Sequence, residues 1–143
     1  MKVKFSAHGC YRHQYHIVWI PKYRKKVLVK ELKGYLEKKI LGITEFHPEV
    51  HVLQMNIQPD HIHLIMEIPP KDAISEILRE IKANTSREIF IKFPWIKKEY
   101  WKKEFWSPGF FSSTIGLNEK EIQRYVEFQE SVDKGTFQLS LNL

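Results

Sequence analysis

Apolar residues recur at every second position along His61-Ile62-His63-Leu64-Ile65-Met66-Glu67-Ile68. Ile62, Leu64, Met66 and Ile68 share one face and His61, His63, Ile65 and Glu67 the other, the two-residue period of a half-buried strand. The apolar row must face a core, so both imidazoles stand on the opposite, more polar side. A second alternating run, Val50 to Gln58, precedes it, and Pro59-Asp60 between them predicts a hairpin. Tyr11 to Ile20 is rich in aromatic and β-branched residues and stops at Pro21. Tyr15, Ile17 and Trp19 fall on one side and His16, Val18 and Ile20 on the other, which predicts an interior strand. Three- and four-residue spacings predict amphipathic helices over residues 30–46 and from about Asp72, read as an N-cap, to about Phe90. Asn118, with Glu121 three positions on, caps a third helix whose inward arc is marked by Ile122, Val126 and Val132. Phe105 to Ile115 reads as two short extended pieces around Pro108-Gly109. Residues 1–10 read as a lead-in and those from Gly135 as a tail, giving the order β-α-β-β-α-β-β-α.

The chain has 143 residues, 43% of them hydrophobic, which suits one domain with one core and excludes a disordered chain. Its formal charge of +6 favours a polyanionic partner such as nucleic acid. One cysteine, Cys10, rules out an intramolecular disulfide framework and fits a reducing compartment. No apolar run approaches the roughly 20 residues that span a bilayer, and no signal-peptide core follows Met1. A cytoplasmic protein with no membrane partner is expected.

Candidate chemistry centres on His61 and His63. Two imidazoles on one strand face can bind one metal ion while leaving positions open for water or substrate, as a catalytic site needs. The plainer reading is a pair of structural histidines. Tyr125 and Gln129 lie four residues apart inside the inward arc of the last helix. A phenol with an ordinary pKa of about 10 becomes a nucleophile near a metal or base, and a carboxamide oxygen can join a metal shell. Alternatively the ring packs on the core and the amide bonds to backbone. Lys22-Tyr23-Arg24-Lys25 could hold phosphates while Tyr23 stacks, and Lys82 and Arg87 lie on the exposed side of the second helix. Residues 95–103 interleave lysines with Trp95, Tyr100 and Trp101, which suits a nucleic-acid surface or a loop pinned by its rings.

Four ordered segments carry a resemblance: His16-Ile17-Val18-Trp19-Ile20-Pro21-Lys22-Tyr23-Arg24, Pro59-Asp60-His61-Ile62-His63-Leu64, Phe105-Trp106-Ser107-Pro108-Gly109-Phe110-Phe111 and Ile122-Gln123-Arg124-Tyr125-Val126-Glu127-Phe128-Gln129. From about residue 11 to 133 the chain resembles the single-tyrosine HUH transposases, the TnpA proteins of the smallest insertion sequences. HUH denotes histidine, hydrophobic, histidine, here His61-Ile62-His63. The resemblance implies an α+β, ferredoxin-like or RRM-like sandwich: an antiparallel sheet with helices on one face and a C-terminal helix carrying the tyrosine. It implies magnesium or manganese held by His61, His63 and Gln129, with Tyr125 forming a 5′-phosphotyrosine on single-stranded DNA. It further implies hairpin-ended DNA as partner and a homodimer, the tyrosine acting within or between subunits. Lys22, Tyr23, Arg24, Lys25, Lys82 and Arg87 are the expected DNA contacts.

Other HUH enzymes, replication initiators and relaxases, usually have longer chains and often a third metal-binding histidine. A domesticated relative cutting host repeat hairpins shares every motif above. A non-catalytic RRM-like module explains the charge and the aromatics, but not the coincidence of His61/His63 with Tyr125/Gln129.

Overall fold

The computed structural model describes the backbone of residues 4–6, 9–11 and 13–136 and the side chains of residues 13–136. Its central sheet has four strands, β3 (Gln14–Trp19), β4 (His51–Gln58), β5 (His61–Glu67) and β6 (Phe111–Ser113), in the spatial order β4-β5-β3-β6. All neighbours are antiparallel. The interior position expected for β3 is observed, and β4 and β5 form the expected hairpin.

Preceding them, β1 (Lys4–Ser6) and β2 (Gly9–Tyr11) form a separate two-stranded antiparallel sheet. This corrects the reading of residues 1–10 as a lead-in: three-residue strands are too short to show a period. The expected tail lies mostly outside the described residues, which end at 136.

Two helices, α1 (Lys30–Leu41) and α2 (Ile74–Lys92), cover one face of the sheet. Leu32, Leu36 and Ile40 of α1 and Ile77, Leu78, Ile81 and Ile89 of α2 pack with Ile17, Trp19, Ile62, Leu64 and Met66 in the main core. A 3-10 turn, Gly42–Glu45, continues α1 to nearly its expected end. α2 begins after Ala73, which has no capping side chain, so Asp72 is not its N-cap. Its backbone N–H instead closes a turn on Pro69 O. In β4 the alternation is interrupted: the register shifts between Val52 and Gln54, the mark of a β-bulge. Leu53 is thereby turned outward, 47% exposed, while Val52 and Met55 pack against the core and Ile57 is buried within it.

The third helix, α3 (Glu119–Asp133), covers the other face. Its cap is as expected, Asn118 Oδ1 accepting from Glu121 N at 2.9 Å. Ile122, Tyr125 and Val126 pack on Val18 of β3 and on Ile20 just beyond it, the side turned away from α1 and α2. Val132 lies at the rim of this arc on the last turn and is 40% exposed, so it is not an inward marker. No helix among the described residues is long and apolar enough to cross a membrane.

Candidate active site

Strand parity puts the two histidines under α3. With Ile62, Leu64 and Met66 committed to the main core, His61 and His63 take the opposite face, where His63 sits across from Val18 of β3. The turn residue Asp60 then fixes His61: its Oδ1 accepts from His61 Nδ1 at 2.8 Å. The other Asp60 oxygen accepts from Arg24 Nε at 2.9 Å. Burial works against the Asp60 charge, but the hydrogen bonds from His61 and Arg24 outweigh it and hold the carboxyl below its ordinary range. His61 is itself 8% exposed, with Nε2 left as its unprotonated nitrogen in the neutral form.

Arg24 joins this carboxylate to α3. Its Nη1 donates to Glu130 Oε1 at 3.0 Å and its Nη2 to Gln123 Oε1 at 3.3 Å. Tyr23 and Arg24 both have left-handed backbones, φ 62° and 54°, an arrangement costing about 1–3 kcal/mol per non-glycine residue. The turn persists because both residues are anchored, Tyr23 through its N–H to Asp133 Oδ2 at 3.0 Å.

His63 has a partner that spacing alone did not reveal. His16 Nδ1 lies 3.2 Å from His63 Nε2, one ring donating and the other accepting. Burial, followed by the neighbouring His16 and His61 rings, pushes the His63 pKa below its ordinary value. The β3/β5 register creates this contact, so only pairing the strands could have found it.

On α3, Tyr125 is 8% exposed, with its ring 5.8 Å from that of Phe111. Its hydroxyl is buried without a hydrogen-bond partner among the described residues. Burial, with a smaller contribution from Asp133, raises its pKa well above the usual phenol value. Gln129, one turn on, is 6% exposed and donates through Nε2 to Asp133 Oδ1 at 3.3 Å. Its Oε1 rests against Gly109, where a Cβ would stand only 2.6 Å away. Asp133 also accepts from Ser107 Oγ at 2.9 Å, so one carboxylate gathers the turn at Tyr23, the Ser107 loop and Gln129. Lys82 braces that loop from below, donating to Ser107 O at 3.0 Å and Gly109 O at 2.9 Å. Burial lowers its pKa to about 8, with Asp133 pulling the other way.

The structure thus brings His61, His63, Tyr125 and Gln129 to one side of the sheet. No hydrogen bond among the described residues joins either histidine to Tyr125 or Gln129; Arg24 links Asp60, beside His61, to Gln123 and Glu130 of α3, and Val18 lies across from His63 and packs with Tyr125. The expected DNA contacts are engaged differently. Arg24 and Lys82 are tied within the chain as described. Lys22 pairs with Glu104 at 3.8 Å and Lys25 with Glu99 at 3.6 Å, while the Tyr23 ring stacks on Tyr100. Arg87 is exposed and has no ion pair among the described residues.

Among the described residues no three His, Cys, Asp or Glu side chains form a ready-made metal cage. The donor set nevertheless suits an open divalent site. His61 has the carboxylate-backed Nδ1–H typical of metal-ligating histidines. His63, whose charged form burial disfavours, offers Nδ1, or Nε2 on release from His16. The Gln129 amide nitrogen is held by Asp133, which leaves its carbonyl oxygen as the donor.

Residues 9–129 match the model of the family described as "Transposase IS200 like". The ISDra2 transposase TnpA of Deinococcus radiodurans is 33% identical over 130 residues, covering 90% of this chain and 92% of that protein. The transposase for insertion sequence element IS200 of Salmonella typhimurium is 33% identical over 138 residues, covering 96% and 90%. A crystal structure of a candidate transposase from Deinococcus radiodurans R1 superposes with a TM-score of 0.76 at 27% identity, over 88% of this chain and 97% of that one. A REP-associated tyrosine transposase bound to a REP hairpin shares the fold at TM-score 0.52 and 20% identity, over 89% and 74%.

Proposed function

The chain belongs to the IS200-like transposase family, and from that premise we propose that it cuts and rejoins hairpin-ended single-stranded DNA by covalent catalysis at Tyr125, with His61, His63 and Gln129 holding a divalent ion. The observation that carries this reading is the presence of both residue pairs on one side of the sheet, where Arg24 ties the turn that precedes His61 to the helix that carries Tyr125 and Gln129. Magnesium or manganese bound there would polarise the scissile phosphate and stabilise the departing 3′-oxygen.

The chain's own residues do the rest. Asp60 orients His61, and Asp133 orients Gln129. The Tyr125 oxygen attacks phosphorus, forming a P–O bond to the ring as the bond to the 3′-oxygen breaks; the phenol gives its proton to solvent and the departing 3′-oxygen takes one up. The products are a 5′-phosphotyrosine and a free 3′-hydroxyl. Attack by another strand's 3′-hydroxyl reverses the step and restores the tyrosine, so no ATP is needed. Buried, without a hydrogen-bond partner among the described residues and biased to its neutral form, the Tyr125 hydroxyl is in a resting position. Reaction requires α3 to bring it out toward the histidines of its own or a second subunit. Excising an element means cutting two ends, so one tyrosine per chain calls for a homodimer.

Covalent trapping tests this. The protein is incubated with manganese or magnesium and 3′-labelled single-stranded DNA carrying the hairpin ends that flank its gene. A labelled adduct that needs the metal and is lost in Tyr125→Phe and His61→Ala is the expected result. Binding to verified cognate ends with no adduct under either metal would overturn the catalytic reading and leave a binding module.

A further inference from the structure

The two histidines of β5 use their ring nitrogens differently. His61 gives Nδ1, the nitrogen nearer its own backbone, to Asp60, which leaves Nε2 at the tip of the ring. His63 has its tip engaged: Nε2 lies 3.2 Å from Nδ1 of His16, the ring centroids 5.4 Å apart and the planes 30° from parallel. Either sense of that bond consumes the nitrogen. As acceptor, His63 Nε2 has committed its lone pair; as donor, it carries a proton; a cation can use neither form.

The strand register sets the direction in which the bond pulls. On β3, Val18 stands opposite His63 and His16 opposite Ile65, so His16 lies diagonally beyond His63, on the side away from His61. Diagonal neighbours in a sheet start about 7–8 Å apart. The bond joins the far nitrogen of His63 to the near nitrogen of His16, so the His63 ring is the one that reaches across. His16 is the fixed partner. It sits on the interior strand between Ile65 of β5 and Ser113 of β6, and a Cβ at Gly116, on the way to α3, would stand 3.9 Å from its Nε2. Side chains two residues apart on a strand are about 7 Å apart, so His61 and His63 meet on one ion only by leaning toward each other. Here His63 leans the other way.

We propose that His16 is a latch on the metal site: it holds Nε2 of His63 away from His61, and His63 must exchange that hydrogen bond for the divalent ion. The latch rests on the metal reading given above. His16 is thus a positioning residue that acts through His63 and sets how readily the site fills.

Manganese binding to the full chain, followed through the electron paramagnetic resonance of the free ion, tests this. His16→Phe keeps a ring of similar size and removes the bond, so manganese should bind about three- to tenfold more tightly, the net worth of one hydrogen bond. A merely structural role predicts no gain. His16→Asn returns a hydrogen-bonding atom near the place of Nδ1, so its affinity should fall back toward that of the wild type. His63→Ala should lose the site. Side-chain nitrogen spectra of wild type carrying isotope-labelled histidine need no variant: magnesium should shift His16 Nδ1 and His63 Nε2 together, with one midpoint. Unchanged or weaker binding by His16→Phe while His63→Ala loses the ion, or a His16 signal that stays still as His63 moves, overturns the latch and leaves the metal reading standing. Manganese binding indifferent to His63→Ala overturns the metal reading and takes the latch with it.

Discussion

At the scale of single residues, two carboxylates, Asp60 and Asp133, hold the groups of the site in place. Asp60 holds His61 through one oxygen and Arg24 through the other, so Asp60→Asn keeps the shape but removes the charge that orients the imidazole. Manganese affinity measured by titration calorimetry should fall about 10–100-fold, as for other residues that back a metal-binding histidine, with the melting temperature lowered by a few degrees as the ion pair with Arg24 is lost. Gly109 is constrained for a spatial reason. A Cβ there would meet Gln129 Oε1 at 2.6 Å, so Gly109→Ala must displace the Gln129 carboxamide. Cleavage of single-stranded DNA should drop by at least tenfold while circular dichroism still reports a folded chain. A retained cleavage rate would mean that Gln129 takes no part in the reaction.

At the scale of elements, Arg24 is the joint between the β4–β5 turn and α3. A lysine keeps the charge but cannot make three divergent hydrogen bonds from one planar fork. Arg24→Lys should cost about 1–2 kcal/mol, trimmed by partial solvent access, and lower the melting temperature by several degrees in calorimetry. It should also slow adduct formation, because α3 loses its tie to the histidine strand. This joint was not legible in the sequence. Residues 22–25 read as a basic loop, and nothing local shows that Arg24 faces Asp60, Gln123 and Glu130, which lie 36, 99 and 106 positions away. What was legible has a period. The alternation in β5 predicted its faces, and the α3 wheel placed Tyr125 and Gln129 inward. The readings that failed lie where the period breaks or the element is too short: the bulge at Leu53, the β1–β2 hairpin, and Asp72, one position early for the cap of α2.

At the scale of the whole molecule, stability and chemistry meet at Lys82. The unfolded chain keeps this proton to about 10.5 and the folded chain releases it near 8, so between those values the unfolded state binds more protons. The group's contribution to stability therefore rises with pH across that window, and below pH 8 the buried charge has its full cost. Urea unfolding of wild type and Lys82→Met at steps from pH 7 to 10.5 should show the difference between them shifting in favour of the wild type as pH rises; parallel curves would mean that Lys82 titrates normally. The division of the sheet also has a genetic reading. One face of β5 is wholly committed to the main core and the other to the tyrosine side. In a saturation screen scored for both protein abundance and transposition, neighbouring codons of one strand should fall into different phenotypic classes. Polar substitutions at Ile62, Leu64 and Met66 should deplete the protein, whereas those at His61 and His63 should leave it abundant and immobile. A two-codon rhythm of phenotypes along the gene would then read out the sheet without a structure.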